Sequence, residues 1–258
     1  MAEDGRTPRR KVAVALVVSM SLLPALSGCS AETVSPGSAR AHAEPGRAAA
    51  VGTVDCRKAT CISLTFDAGP GKDTPRLLDI LKEQKVPATF FLLGRDHVDR
   101  YPDVVRRIAR EGHEVGNHTW SHRRLDKLKP AAIREELSRA QDAIAALTGR
   151  RPVLMRPPQG RTDGDVSKVS KELGLAQVLW STTAKDYSTT DPDLIRRRTL
   201  KAATPDGIIL LHDIYDGTVP AVPGIVDALK ADGYTFVTVS QLLAPGAPRP
   251  GAVYRPQR

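Results

Sequence analysis

The chain has 258 residues, of which 41% are hydrophobic, so it is long enough to bury one sizeable core. Its formal net charge of +9 is carried partly by the basic terminal segments, and no basic stripe interleaved with aromatic residues is present. The composition therefore argues against a nucleic-acid partner and is compatible with anionic wall polymers or lipid headgroups.

Residues 1–28 are predicted to be a signal peptide. A basic start, residues 9–11, precedes the apolar stretch 12–26, which is shorter than the roughly 20 apolar residues of a membrane-spanning helix. The stretch runs into Leu-Ser-Gly-Cys at residues 26–29, which resembles the lipobox of bacterial lipoproteins. The resemblance implies that Cys29 becomes the first mature residue, carries a lipid and anchors an extracytoplasmic protein to the cell membrane. An ordinary signal peptide and a secreted protein are the alternative.

Two further segments are predicted to lack structure. Residues 29–53 are mostly Ala, Gly, Pro, Ser and charged residues, so they bury too little apolar surface to offset the entropy of ordering and are expected to form a flexible tether. Residues 245–258, rich in Pro, Gly and Arg, are predicted to be a disordered tail. One domain, residues 54–244, lies between them.

The two remaining cysteines, Cys56 and Cys61, are predicted to form a structural disulfide. Outside the cytoplasm an even number of cysteines is expected to pair, and the four intervening residues close a short loop. A metal site is disfavoured because no other cysteine completes a thiolate cluster.

Strands and helices are predicted to alternate along the domain. The expected strands are residues 62–66, 88–93, 114–117, 153–155, 176–181, 208–211 and 234–238. The expected helices are residues 74–84, 102–110, a longer one from Pro130 that ends at Gly149, 165–173, 192–203 and 224–231.

Seven strands alternating with helices indicate an α/β fold with parallel strands, closed into a distorted seven-stranded (β/α) barrel. An open doubly wound sheet is the alternative. Asp67, His118, Arg156 and His212 each follow a predicted strand directly, and Asp186 follows within a few residues. The loops after parallel strands meet at one end of a barrel, so these side chains are expected to form one site.

Five motifs occur in order: Thr-Phe-Asp-Ala-Gly-Pro at 65–70, His-Thr-Trp-Ser-His at 118–122, Arg-Pro-Pro-Gln-Gly at 156–160, Asp-Tyr at 186–187 and Leu-Leu-His-Asp at 210–213. Their identity and order resemble the NodB-homology polysaccharide deacetylases (carbohydrate esterase family 4), over residues 61–243. The resemblance implies a distorted (β/α) barrel and a metal-dependent hydrolase that removes N- or O-acetyl groups from peptidoglycan, chitin oligomers or a similar polysaccharide.

The resemblance also assigns roles. Asp67 is the expected general base, Arg156 orients it, His212 is the general acid, and Asp186 sets the pKa of His212. The backbone N–H of Gln159 would stabilise the oxyanion, and Tyr187 would form a groove wall. His118 and His122, four residues apart and assumed to share a helical turn, would bind zinc, with cobalt or nickel as alternatives. A monomer is expected.

Ala68 departs from the family pattern, because it occupies the position of a metal-binding aspartate. A methyl group cannot bind a metal, so Asp67 or Asp73 would have to serve as the third ligand. The alternative is a pseudoenzyme that binds glycan without hydrolysing it. The presence of the other motif residues favours a hydrolase.

Overall fold

A computed structural model describes residues 1–2, 33–43 and 54–257. The strands are β1 Thr33–Val34, β2 Cys61–Asp67, β3 Thr89–Leu92, β4 Glu114–Asn117, β5 Leu154–Met155, β6 Ala176–Val178, β7 Thr182–Thr183, β8 Gly207–Leu211, β9 Thr235–Phe236 and β10 Val253–Tyr254. The helices are α1 Pro36–Ala41, α2 Thr74–Glu83, α3 Pro102–Arg110, α4 Pro130–Thr148, α5 Gly164–Glu172, α6 Pro192–Ala202, α7 Thr218–Ala231 and α8 Val239–Leu243.

The strands form one parallel sheet in the order β1-β10-β6-β5-β4-β3-β2-β8-β7, with β9 paired to the start of β2. The sheet curls because one extended segment, residues 176–183, pairs with a different strand at each of its two ends. Its first half pairs with β5, and its second half, β7, pairs with β8. The prediction of a distorted parallel barrel in a single domain is confirmed.

The central strand β2 is buried along its whole length, and the largest hydrophobic cluster lies between it and the surrounding helices. Amphipathic helices supply the other half of this core. From α4, Ile144 packs in this core, whereas Ile133 and Leu137 are buried in a smaller cluster with α5, and Gly149 ends the helix in the left-handed region at φ 72°. Packing of this kind fixes the strand ends on which the site is built.

Two helices differ from the prediction. Helix α7 begins at Thr218 rather than at residue 224, with Pro220 and Pro223 in its first two turns, where a missing N–H removes few helical hydrogen bonds. Helix α8 was not predicted, although Thr238 and Gln241 form a capping box at its start. The hydrogen bonds of this capping box stabilise α8 although the helix has only five residues.

The prediction of a disordered tail from residue 245 is wrong. Strand β10 pairs in parallel with β6, and the side chain of Tyr254 is fully buried. The Pro- and Gly-rich composition concealed a short apolar stretch, residues 252–254, that fills a free sheet edge.

The prediction of a flexible tether is also wrong for residues 33–43. Strand β1 pairs with β10, and the buried Arg40 donates to the carbonyl of Leu242 at 2.8 Å and pairs with Asp206 at 2.5 Å. These contacts offset the entropy lost when residues 33–43 become ordered. From composition alone, that loss was expected to keep the segment disordered. Residues 44–53 lie outside the described residues.

Cys56 and Cys61 are joined by a disulfide immediately before β2. The predicted signal peptide, apart from its first two residues, and Cys29 lie outside the described residues. Within the described ranges, no helix has the length and apolar character needed to cross a bilayer.

Candidate active site

The carboxyl ends of the parallel strands bring the motif residues together at one end of the barrel. Asp67 is the last residue of β2, His118 follows β4, Arg156 follows β5 and His212 follows β8. All four side chains are buried or nearly so. The shared placement inferred from the sequence is therefore the placement in the structure.

Arg156 and Asp67 form a buried ion pair. Nη1 of Arg156 donates to Oδ1 of Asp67 at 2.7 Å and to Oγ1 of Thr65 at 2.7 Å, while Nε donates to the carbonyl of Val178 at 3.0 Å. The guanidinium also lies 4.2 Å from the ring centroid of Phe91. Burial lowers the pKa of Arg156 and the Asp67 carboxylate opposes that shift, and the hydrogen bond between them holds Asp67 in one orientation.

His118 is positioned to use its Nε2 atom. Its Nδ1–H donates to the carbonyl of Arg156 at 2.8 Å, which leaves Nε2 unprotonated and 3.9 Å from Oδ2 of Asp67. Burial, the largest influence, lowers the pKa of His118 to about 4, so the ring is neutral at neutral pH. A neutral imidazole fixed through its other nitrogen is the form that binds metals.

His118 and His122 lie close together but not on a helix. Thr119 and His122 have positive φ angles of 73° and 61°, so the motif is a tight loop, and the prediction of a shared helical turn is wrong. The ring centroids are nevertheless 4.9 Å apart. Glu136 of α4 holds the loop by accepting from the N–H and the hydroxyl of Ser121 at 2.8 and 2.5 Å. Sequence reasoning missed Glu136 because only the fold brings α4 to this loop.

His212 forms a second charged pair, with Asp186. Nδ1–H of His212 donates to Oδ1 of Asp186 at 2.9 Å, and Oδ2 accepts from the His212 N–H at 2.6 Å and from Thr218 at 2.8 Å. Burial alone would lower the pKa of His212, but its hydrogen bond to Asp186 and the nearby carboxylates outweigh burial and raise it. The protonated, proton-donating form is therefore favoured.

Two tyrosines flank His212 at the surface. The ring centroid of Tyr187 lies 6.3 Å from that of His212, and the ring centroid of Tyr215 lies 5.3 Å from it. Both tyrosines are exposed, and Tyr215 was not anticipated from the sequence. Gln159 is exposed in a turn at φ 58°, on the loop after β5. The two tyrosines give the surface beside His212 an exposed aromatic face.

Among the residues that the structure describes, no third metal ligand is in position. Ala68 has φ 62° and its N–H donates to the carbonyl of Phe91 at 3.1 Å. Asp73 lies at the start of α2 and pairs with Lys72 at 2.6 Å, whereas Oδ2 of Asp67 faces His118. Among the described residues, no three His, Cys, Asp or Glu side chains are grouped so as to hold an ion. The two imidazoles fit a divalent ion, and of the two predicted third ligands Asp67 is the better placed.

A further buried carboxylate, Asp213, ends the motif at 210–213 but was given no role from the sequence. Its Oδ2 accepts from the hydroxyl of Thr74, which in turn accepts from the Gly71 N–H at 2.7 Å. A Cβ atom on Gly69 would lie 2.3 Å from Oδ1 of Asp213, so the loop after β2 packs directly on this carboxylate. Asp213 therefore supports the segment that carries Asp67 and Ala68.

The comparisons with known proteins agree with this arrangement. A family model described as polysaccharide deacetylase matches residues 55–178. The peptidoglycan-N-acetylglucosamine deacetylase PgdA of Listeria monocytogenes is 37% identical over 182 residues, covering 70% of this chain and 38% of that protein. A chitooligosaccharide deacetylase of Bradyrhizobium sp. is 38% identical over 197 residues, covering 70% of this chain and 90% of that protein. The chain thus spans well under half of the first relative and nearly all of the second.

Solved structures give the same result. The T48 deacetylase with substrate is 41% identical, with a TM-score of 0.74 over 78% of this chain and 99% of that chain. A mutant of BA3943, a CE4 family pseudoenzyme with restored enzymatic activity, is 30% identical, with a TM-score of 0.68 over 72% of this chain and 68% of that chain. Similar chains therefore include both a deacetylase and a pseudoenzyme.

Proposed function

The chain belongs to the polysaccharide deacetylase family, and we propose that it hydrolyses acetyl groups, in the first instance N-acetyl groups, on an extracytoplasmic polysaccharide. The observation that carries the proposal is the pairing of two poised groups at one end of the barrel. Arg156 holds Asp67 as an oriented carboxylate, and Asp186 holds His212 in the proton-donating form. These are the base and the acid that amide hydrolysis requires.

The residues support a two-step reaction. Asp67 accepts a proton from water as the water oxygen attacks the acetyl carbonyl carbon. When the C–N bond breaks, Nε2 of His212 gives its proton to the departing amine nitrogen, and the acetyl group leaves as acetic acid, which gives up its remaining proton to solvent and becomes acetate. Asp67 then releases its proton, so that His212 can be recharged and no net proton remains on the protein.

We further propose that the reaction is metal-dependent and that His118 and His122 hold the ion, with zinc preferred over cobalt or nickel because imidazole suits zinc. A bound divalent ion would polarise the acetyl carbonyl and make water more acidic. Asp67 is not proposed as a third donor, because a carboxylate that binds the ion cannot also serve as the free base. Its Oδ2 lies 3.9 Å from Nε2 of His118, where it is placed to accept a proton from water.

The proposed substrate is a peptidoglycan or chitin-type oligosaccharide. The relatives act on peptidoglycan N-acetylglucosamine and on chitooligosaccharides, as their names state. Tyr187 and Tyr215 flank His212 with exposed ring faces, which suits one or two sugar rings rather than a long stacking platform. The protein is proposed to act as a monomer, anchored to the outer face of the membrane by a lipid on Cys29.

A glycan-binding pseudoenzyme is the second candidate, and Ala68 is the observation that favours it. With only two imidazoles in place, metal affinity would be weak and hydrolysis slow. The retention of both charged pairs, Asp67 with Arg156 and His212 with Asp186, favours the hydrolase.

Acetate release from chitin oligomers and from peptidoglycan tests the proposal. The full chain, first stripped of metal and then supplied with zinc, is compared with His118→Ala and with Glu135→Ala, an exposed residue on α4. Zinc-dependent acetate release that His118→Ala abolishes and Glu135→Ala leaves intact supports a metal-dependent deacetylase. Glycan binding without acetate release would support the pseudoenzyme.

A further inference from the structure

A cavity lined by arginines opens at the end of the barrel opposite the active site. Its volume is about 610 Å³, and its lining includes Arg106, Arg110, Arg150 and Arg151 together with Val153. All four arginines are exposed, and Val153 is among the few large apolar side chains that are exposed in the described residues. The proposed deacetylation makes no use of this cavity.

The position of the cavity follows from the strand direction. It lies between the C-terminal ends of α3 and α4, beside the amino ends of β4 and β5. The carboxyl ends of these two strands carry His118 and Arg156. The arginine-lined cavity and the active site therefore occupy opposite ends of the same strands.

Two of the four arginines have no carboxylate partner. Arg106 pairs with Asp103 and Arg151 pairs with Asp142, whereas Arg110 and Arg150 make no ion pair with any described residue. The carboxylate of Glu114, which also lines the cavity, accepts from Thr89 and Ser240. The cavity therefore has an excess of unneutralised positive charge.

Helix capping does not account for this excess. A basic residue in the last turn of a helix offsets the negative end of its dipole, which explains Arg110 in α3. Helix α4 has no basic residue in its last turn, and Arg150 and Arg151 come after its end. The positive surface also continues beyond the cavity, because Lys82 and Lys85 line an adjoining cavity of about 370 Å³.

We propose that this basic face, formed by Lys82, Lys85, Arg106, Arg110, Arg150 and Arg151, docks on the anionic phospholipid headgroups of the membrane. Several lysines and arginines close together bind anionic bilayers by electrostatic attraction, and an exposed apolar side chain such as Val153 adds contact with the interface. The inference rests on the proposed placement of the protein at the membrane.

The direction of β1 supports the same orientation independently of charge. Strand β1 runs parallel to β10 and β10 runs parallel to β6, so the chain enters β1 from the end of the barrel that carries the basic face. Cys29 precedes Thr33 by four residues, a span of at most about 14 Å when extended. A lipid on Cys29 would thus hold this end at the bilayer, and the active site would face outward, towards the wall polymer.

Lipid-borne quenching tests the orientation. The full chain carries Cys29→Ser, so that an added cysteine is the single free thiol, and a fluorophore is attached at Val153→Cys on the basic face or at Arg95→Cys beside the active site. Vesicles contain phosphatidylcholine alone or with an equal part of phosphatidylglycerol, with a nitroxide on the headgroups. On anionic vesicles we expect several-fold stronger quenching at position 153 than at position 95.

A charge reversal and a matched control distinguish binding through the basic face from an effect of the net charge of the protein. Arg110→Glu with Arg150→Glu should weaken binding to anionic vesicles about tenfold or more and reduce quenching at position 153 to its value on phosphatidylcholine. Arg196→Glu with Arg197→Glu, an equal charge change in the middle of α6, should leave both nearly unchanged.

Three results would overturn the inference: equal quenching at both positions, equal weakening by the control pair, or binding to soluble polyphosphate without binding to vesicles. Acetate release by the Arg110→Glu, Arg150→Glu variant is expected to be unchanged on soluble oligomers. That readout separates failure of the docking inference from failure of the proposed activity.

Discussion

The guanidinium of Arg156 contacts the carboxylate of Asp67 at 2.7 Å, and both side chains are buried. The pair is enclosed and lies beside the two histidines, as the proposed role of Asp67 as an oriented base requires. Burying two charges is costly unless they are paired and hydrogen-bonded. Thr65 and Val178 accept further hydrogen bonds from Nη1 and Nε of Arg156, while its buried Nη2 has no hydrogen-bond partner among the described residues.

Restoring the missing ligand should increase metal affinity and activity. Ala68 occupies the left-handed region at φ 62°, which aspartate and asparagine adopt more readily than alanine, so Ala68→Asp should be tolerated without backbone strain. We expect at least about tenfold tighter zinc binding and faster acetate release. Calorimetric zinc titration and an acetate assay measure the two effects.

Ala68→Asn is the matched control, because it shares the backbone preference and the size of aspartate without the negative charge. It should remain close to the parent in zinc affinity. Equal affinity and activity for the parent and Ala68→Asp would mean that the parent has already completed its metal site, which would exclude the pseudoenzyme.

The alkaline limit of activity should depend on Asp186. Its hydrogen bond and charge raise the pKa of His212, and the proton-donating form is lost as pH rises through that pKa. Asp186→Asn removes the charge, so the pKa of His212 should fall and the descending limb of the pH–kcat profile should move to lower pH.

Thr218→Val controls for the hydrogen-bond network around Asp186. It deletes one hydrogen bond to Oδ2 but keeps the carboxylate, so the descending limb should stay near its parental position. A limb that does not move in Asp186→Asn would assign the general acid to a group other than His212.

Asp213 should make the fold less stable as pH rises. Burial raises the pKa of Asp213 to about 6 from 3.8, so the folded state holds its proton more tightly than the unfolded state. The stabilising contribution is complete below the unfolded pKa and is lost as pH rises from about 4 to about 6, with a size on the order of 2–3 kcal/mol.

Replacing Asp213 by asparagine should remove this pH dependence. Relative to the parent, Asp213→Asn should be more favourable at pH 7 than at pH 4 in urea unfolding, whereas the exposed Asp216→Asn should show no such difference. The same relative stability of Asp213→Asn at both pH values would show that the carboxylate is solvated.

The C-terminal strand should be essential for stability. Tyr254 is fully buried and its hydroxyl donates to the carbonyl of Ala247 at 3.3 Å, so Tyr254→Ala should cost about 3–5 kcal/mol. Tyr254→Phe keeps the ring and should cost about 1 kcal/mol. A free energy of unfolding unaffected by Tyr254→Ala would restore the prediction of a disordered tail.

The sequence was sufficient where local pattern and chemistry coincide. Apolar runs ended by Gly or Pro located the central strands, and the polar residues directly after them, such as Asp67 and Arg156, located one end of the barrel. The sequence was insufficient where contacts between residues far apart in the chain determine the local structure. Composition suggested disorder around Val253, but a free edge at β6 orders it. Helical spacing predicts that His118 and His122 lie together, and they do. The cause is a tight loop held by Glu136 rather than a helical turn.

The site shows the same division. Motif residues could be assigned roles because each follows a strand, whereas Asp213, Glu136 and Tyr215 act through neighbours that only the fold supplies. The sequence predicts that Ala68 lowers metal affinity, because alanine has no ligand atom. The left-handed backbone of residue 68, which would accept an aspartate, could not be anticipated from the sequence, because it depends on the packing of the loop after β2.

Acetate release by the parent and by Asp67→Asn, measured side by side on chitin oligomers with zinc present, tests the central claim most directly. Asparagine keeps the shape of Asp67 but cannot accept the proton from water, so the account predicts zinc-dependent acetate release by the parent and a loss of about 10²–10⁴-fold in the variant. Acetate release that is equal in both proteins, or absent from both while the oligomers still bind, would contradict a hydrolase that uses Asp67 as its base.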